Sequence, residues 1–175
     1  MKKICILLVL ITMSLSVVGC AVKGQAVTLE CVSDTLDAPL QQQYFLCAEI
    51  PKEMLLETIS NDRSSKVYVH EDGDYEMLMD VFTAASLDDA LLSLTGYNFA
   101  ELAPISMDSY PLDEYRYAWT TAGENGELAC CGTLFFDGTH YYSLTIRCPA
   151  QLEKKYHDTF SHILTTVGLQ GNEGF

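Results

Sequence analysis

An α+β domain, built as an antiparallel sheet of about six to seven strands with helices packed on it, follows from two features of the chain. Short alternating apolar segments are joined mostly by tight turns rich in Gly, Asp and Asn, which favour hairpins over crossovers. Two segments with helical spacing, one mid-chain and one near the end, interrupt that pattern.

The elements follow in order. Residues 27–33 alternate, with Val27, Leu29 and Cys31 set against Thr28, Glu30 and Val32, and predict a first strand. Residues 34–43, with Pro39, read as a connection. Residues 44–50 form a second strand that stops at Pro51, which has no amide proton to give a ladder. After a polar turn at 61–65, residues 66–70 and 75–82 flank Glu71-Asp72-Gly73-Asp74 as a hairpin. The mid-chain helix starts at Ser86, whose hydroxyl can cap it, with Asp89 three positions on. Leu87, Leu91 and Leu94 form its apolar stripe and Gly96 ends it. Residues 114–121 alternate, with Tyr115, Tyr117 and Trp119 on one face, and Gly123-Glu124-Asn125-Gly126 turns the chain. Residues 127–136 and 141–148 are two further strands around Asp137-Gly138. A helix of about seventeen residues from Ala150 comes last, with Leu152, Tyr156, Phe160, Ile163 and Val167 at helical spacing and Gly168 as terminator.

Before the domain, residues 1–19 read as a cleaved export signal. Lys2 and Lys3 form a charged region, and residues 4–18 form an apolar run of about fifteen residues, short of the roughly 20 that a spanning helix needs. Val17-Val18-Gly19-Cys20 then resembles the lipobox of lipid-modified bacterial secreted proteins. Small Gly19 admits the peptidase, and the Cys20 thiolate is the nucleophile that takes up diacylglycerol. Acyl chains such as palmitate, more than one per anchor, give stable attachment where a single chain is marginal. The expectation is a domain of residues 27–169 on the extracytoplasmic face of the cell membrane. Residues 20–26 are its lipidated cysteine and short tether, and residues 170–175 its tail. Ala21 follows the anchor, so no aspartate retention signal stands there.

Charge narrows the partners. The chain carries a net charge of −14; losing residues 1–19 removes Lys2 and Lys3 and no acid, which makes it −16. So acidic a domain repels phosphate backbones and anionic headgroups, so no nucleic-acid partner is expected. The partners that remain are the membrane, through the lipid on Cys20, and an envelope protein. About 155 residues are left, enough for one domain with a proper core.

The order of elements also resembles the PsbP-like fold, a layered sandwich shared with a small Ran-GTPase-binding protein and with many bacterial lipoproteins. The resemblance rests on Phe45-Leu46-Cys47-Ala48-Glu49-Ile50-Pro51, on the single mid-chain helix, and on Tyr141-Tyr142-Ser143-Leu144-Thr145-Ile146 followed by a helix closing on Phe160-Ser161-His162-Ile163-Leu164-Thr165-Thr166-Val167. It implies a docking or assembly-support protein, because the known roles in that group are non-enzymatic. No functional residues carry over, since the group has no shared site motif to match.

Few constellations carry chemistry. Outside the cytoplasm, exported cysteines pair by default, which makes Cys31–Cys47 and Cys130–Cys148 the candidate disulfides and Cys131 the odd thiol. The other reading is free thiols acting as small buried hydrophobes. No CxxC or HExxH spacing is present, so neither metal nor cofactor is expected. Asp72-Gly73-Asp74 supplies only a fragment of a calcium loop and reads as a solvated turn. His157 and His162, about 140° apart on the last helix, read as surface residues, and His140 as an exposed turn residue. No nucleophile elbow, phosphate loop or dinucleotide fingerprint occurs, so the domain is expected to be non-enzymatic. The alternatives are a hydrolase using clustered carboxylates, or a disulfide-bearing structural subunit of an envelope complex. Tyr115, Tyr117, Trp119, Tyr141 and Tyr142 form the candidate binding face, with core packing as the competing role.

Overall fold

The computed structural model describes residues 30–36, 44–108 and 112–171. In chain order these form β1 (Cys31–Leu36), β2 (Tyr44–Pro51), β3 (Met54–Ile59), β4 (Ser65–His70), β5 (Glu76–Phe82), α1 (Leu87–Thr95) and β6 (Ala103–Asp108). Then come β7 (Asp113–Gly123), β8 (Gly126–Phe136), β9 (Tyr141–Pro149), a 3-10 turn (Ala150–Leu152), α2 (Glu153–Thr166) and β10 (Gly168–Gly171). The export signal, Cys20, the tether, the start of the expected first strand, Pro39 and residues 172–175 lie outside the described residues.

Seven strands pair antiparallel in the order β3-β4-β5-β9-β8-β7-β6, and β1-β2-β10 form a smaller antiparallel sheet. This is the α+β class expected. Alternation decides which face each residue serves. On β9, Tyr142, Leu144, Ile146 and Cys148 join a core with Met77 and Met79 of β5, Leu46, Ala48 and Ile50 of β2, and Phe160 and Ile163 of α2. Tyr141 faces the other way, with Leu134 of β8, Tyr117 of β7, and Ala90 and Leu91 of α1. The domain therefore has three layers: α1, the seven-stranded sheet, and a layer shared by α2 and the small sheet.

The ends of α1 fall where its residues dictate, whereas α2 is capped at Val167, one residue before the expected Gly168. Ser86 Oγ accepts from the Asp89 amide at 3.1 Å, and Gly96 adopts φ 81°, returning its N–H to the Leu92 carbonyl. The 3-10 turn and α2 together span the seventeen positions expected, and Phe160, Ile163 and Val167 of the apolar stripe are buried.

Three strands had no assignment in the sequence: β3, β6 and β10. Leu55, Leu56 and Ile59 of β3 are exposed, so this edge strand lacks a buried face to impose alternation. Four-residue β10 starts at Gly168, the expected helix terminator, and exists through its pairing with β2. Among the described residues the first strand runs from Cys31 past the expected end at Ser33 to Leu36, which is fully buried.

Two close contacts hold the centre. Gly132 faces Tyr117 across the β7–β8 pair, and a Cβ there would lie 2.9 Å from the Leu144 carbonyl oxygen and 3.3 Å from the Tyr117 ring. At the β8–β9 turn, the Asp137 carboxylate accepts from the amides of Thr139 (2.8 Å) and His140 (2.7 Å) and from the Tyr142 hydroxyl (2.6 Å). His140 is half-buried beside this carboxylate rather than exposed. Burial alone would raise the Asp137 carboxyl; the donors from His140, Tyr142 and Thr139 outweigh it and hold the group below its ordinary value.

Two outcomes follow. Gly132→Ala forces Cβ against backbone and should destabilise by about 1–3 kcal/mol in thermal or urea unfolding. Because Asp137 is depressed in the folded state, the stability it contributes is present above the usual carboxylate range and disappears as pH falls through its lowered value. Asp137→Asn should therefore lower stability near neutral pH and flatten the acid limb of a stability-versus-pH curve, leaving the alkaline limb unchanged.

Candidate functional site

α2 covers β2, β9 and part of β8, but leaves the sheet uncovered towards β6. A groove of about 300 Å³ opens along this flank. Its floor is Ala118 of β7 with Ala129 and Cys131 of β8, small side chains that keep the sheet low. Phe160 and Leu164 of α2 make one wall, and Ile105 of β6, 64% exposed, stands on the other side. Polar groups stay at the rim: Glu153, His157, Ser161 and Thr165 from the helix, and Arg116 from β7, whose Nε donates to Glu114 at 2.7 Å. Positions 157, 161, 164 and 165 recur at helical spacing, so one flank of α2 supplies that whole side. An apolar trough with a few rim donors and acceptors suits an apolar ligand or an apolar peptide segment.

The thiol on its floor is Cys131. Burial, first, and then the neighbouring Cys148, Cys130 and Glu153, push this thiol up to about 12. Cys130, on the opposite face, is pushed up to about 11, chiefly by burial. A thiol so held is a weak nucleophile at neutral pH.

The expected disulfides do not form, and the register says why. Cys31 lies opposite Pro51 and Cys47 opposite Thr35, so the two cysteines are four positions apart along the hairpin, about 13 Å at the strand rise. Cys130 lies opposite Arg147 and points towards the α1 face, while Cys148, opposite Ala129, points into the α2 core. Cys131 is the thiol that shares the face of Cys148. All five described cysteines are free.

The expected aromatic binding face is likewise corrected. Tyr117, Tyr141 and Tyr142 are buried, and Tyr142 lies on the face opposite the others. Trp119 stacks on Tyr117 at 5.4 Å between centroids, Tyr141 on Phe136 at 4.5 Å, and half-buried Tyr115 meets Phe99 edge-on at 6.4 Å. These rings are the packing beneath α1. The groove, on the other face of the same strands, is the surface that sequence reasoning missed. Its signal was present in the small odd-numbered residues of β8 and even-numbered residues of β7, but only pairing aligns them.

Carboxylates are engaged singly. Asp74, in the acidic turn, accepts from Lys155 and from the Tyr156 hydroxyl, which tie that turn to α2. Beneath α1 a recess of about 530 Å³ is lined by Ser64, Asp80, Ser93, Thr145 and Arg147 among others. Burial raises the Asp80 carboxyl against the opposing effects of Ser65 and Arg147. The groove and the recess each contain one carboxylate among their described residues, whereas glycosidase chemistry requires two.

One mixed donor set lies apart from both cavities. Cys31, Glu49 and His162 place a sulfur, an oxygen and a nitrogen within 4.8 Å of one another. His162, expected as a plain surface residue, sits 2.8 Å from the Glu49 carboxylate through Nε2.

The groove floor has a direct readout. In the folded protein at neutral pH, Cys130 and Cys131 should resist iodoacetamide and react in denaturant, as peptide mass spectrometry would show. Equal labelling of Cys131 in both conditions would mean an open, ionised thiol.

No family model matches the sequence, and no curated protein matches it. Similar solved structures share its fold at low identity. The solution structure of cyanobacterial PsbP (CyanoP) from Synechocystis superposes with a TM-score of 0.53 at 9% identity, covering 84% of this chain and 96% of that one. LpqN of Mycobacterium tuberculosis, a protein involved in cell envelope biogenesis, gives 0.51 at 8% identity, covering 81% and 92%. A Bacteroides thetaiotaomicron protein gives 0.50 at 10% identity over 74% of this chain and 46% of its own, so this chain spans about half its length. These superpositions show that the chain has a PsbP-like fold.

Proposed function

We propose that this chain is a lipid-anchored extracytoplasmic module that docks an apolar segment of an envelope partner in the α2 groove and performs no chemistry on it. The observation that carries this reading is the groove itself: apolar floor and walls, polar groups confined to the rim, and a floor thiol held protonated. The lipobox-like Val17-Val18-Gly19-Cys20 supports the anchor. Among the described residues no helix is long and apolar enough to cross a membrane, so attachment in this reading rests on the lipid. Likeness in fold to LpqN supports an envelope setting. Cys31 opens β1 eleven residues after Cys20, so the anchor holds the domain within about 40 Å of the bilayer.

A photoreactive side chain at Leu164, in the groove wall, and another at exposed Leu92, on α1, test the reading in living cells. The Leu164 position should give one discrete adduct in the membrane fraction, absent at Leu92. Identical adducts at both positions, or none at Leu164, would sink it. With Cys20→Ser the protein should leave the membrane fraction and the adduct should vanish.

A further inference from the structure

We propose that Cys31, Glu49 and His162 form a binding site for a zinc-class divalent cation, on the flank of α2 away from the groove. Three elements build it. In the β1–β2 pair Ser33 lies opposite Glu49, so Cys31, two positions along, shares the Glu49 face as its diagonal neighbour. The Glu49 amide donates to Thr166 Oγ1 at 3.3 Å, which pins the last turn of α2 over β2. One helical turn back from Thr166 is His162, and its Nε2 reaches Glu49 Oε2 at 2.8 Å. Helix spacing and strand register thus bring together three donors that are far apart in the chain.

The donors suit the cation class. Zinc binds thiolate sulfur at about 2.3 Å and imidazole nitrogen and carboxylate oxygen at about 2.0–2.2 Å, so tetrahedral ligand atoms stand about 3.5 Å apart. The donor atoms here already lie within 4.8 Å of one another, on half-buried side chains with room to turn. A sulfur–nitrogen–oxygen set disfavours magnesium and calcium, which take oxygen ligands. The Glu49 carboxylate stands beside the Cys31 sulfur within this donor set. A divalent cation would bind Cys31 as the thiolate, release the thiol proton to solvent and be charge-balanced in part by Glu49. Three protein ligands leave the fourth position to water or to a donor from a partner.

Cobalt(II) alone, titrated into the full chain in detergent, is the probe. One equivalent should give the strong visible bands of tetrahedral cobalt with a near-ultraviolet thiolate-to-metal band, and zinc should displace it. Cys31→Ser should abolish the near-ultraviolet band, and Glu49→Gln or His162→Gln should weaken binding by more than about 10-fold. Cys47→Ser and Cys131→Ser should leave the spectrum unchanged. Metal-free unfolding curves matching wild type show that each variant is folded, and either single-ligand variant substitutes for one that is not. A weak octahedral spectrum, or a thiolate band that persists in Cys31→Ser, overturns the proposal.

Discussion

β9 has no solvent face, and the rest of the architecture follows from that. Six consecutive residues, Tyr141–Ile146, are buried, so the strand needs partners at both edges and cover on both sides. β5 and β8 supply the edges, α1 one cover, and α2 with the small sheet the other. Burial dominates the energetics. A fully buried Leu, Ile or Met contributes roughly 1.5–3 kcal/mol, against about 1 kcal/mol net for a typical hydrogen bond. The Asp137–Tyr142 contact secures the turn that aims β9, and Gly132 lets Tyr117 lie against the neighbouring strand.

One helix organises both candidate sites. Phe160 and Ile163 anchor α2 on the sheet, which leaves two flanks at the sides of that apolar stripe. Leu164 and Ser161 fall on the flank beside β8 and shape the groove. His162 and Thr166 fall on the flank above β2 and meet Glu49. About 100° per residue separates neighbouring positions, so a single residue step decides which site a side chain joins. A partner in the groove and a cation at Cys31 would both act on the position of this helix, from opposite sides.

Local signals in the chain were dependable where a single residue sets backbone geometry. Ser86 and Gly96 delimit α1, Pro51 ends β2, and Gly138, at φ 95°, turns β8 into β9. Alternation identified β5, β7, β8 and β9 because each has at least one buried face. It was silent for β3, whose apolar residues are exposed, and for β10, which has too few residues to show a period. The disulfide expectation failed on register alone. Face assignment by alternation says which residues of one strand point together, and leaves undetermined which face of the next strand meets them.

From its residues alone the chain specifies its class, its two helices with the caps of α1, most of its sheet, and a strongly acidic net charge. These properties depend on neighbours within a few positions, or on summed charge. Tertiary structure alone decided that the Tyr115–Trp119 face is core, that Cys131 and not Cys130 shares a face with Cys148, and that Cys31, Glu49 and His162 converge. Each of these depends on strand register or on how a helix lies across a sheet. Long-range packing sets that placement, and no local pattern encodes it.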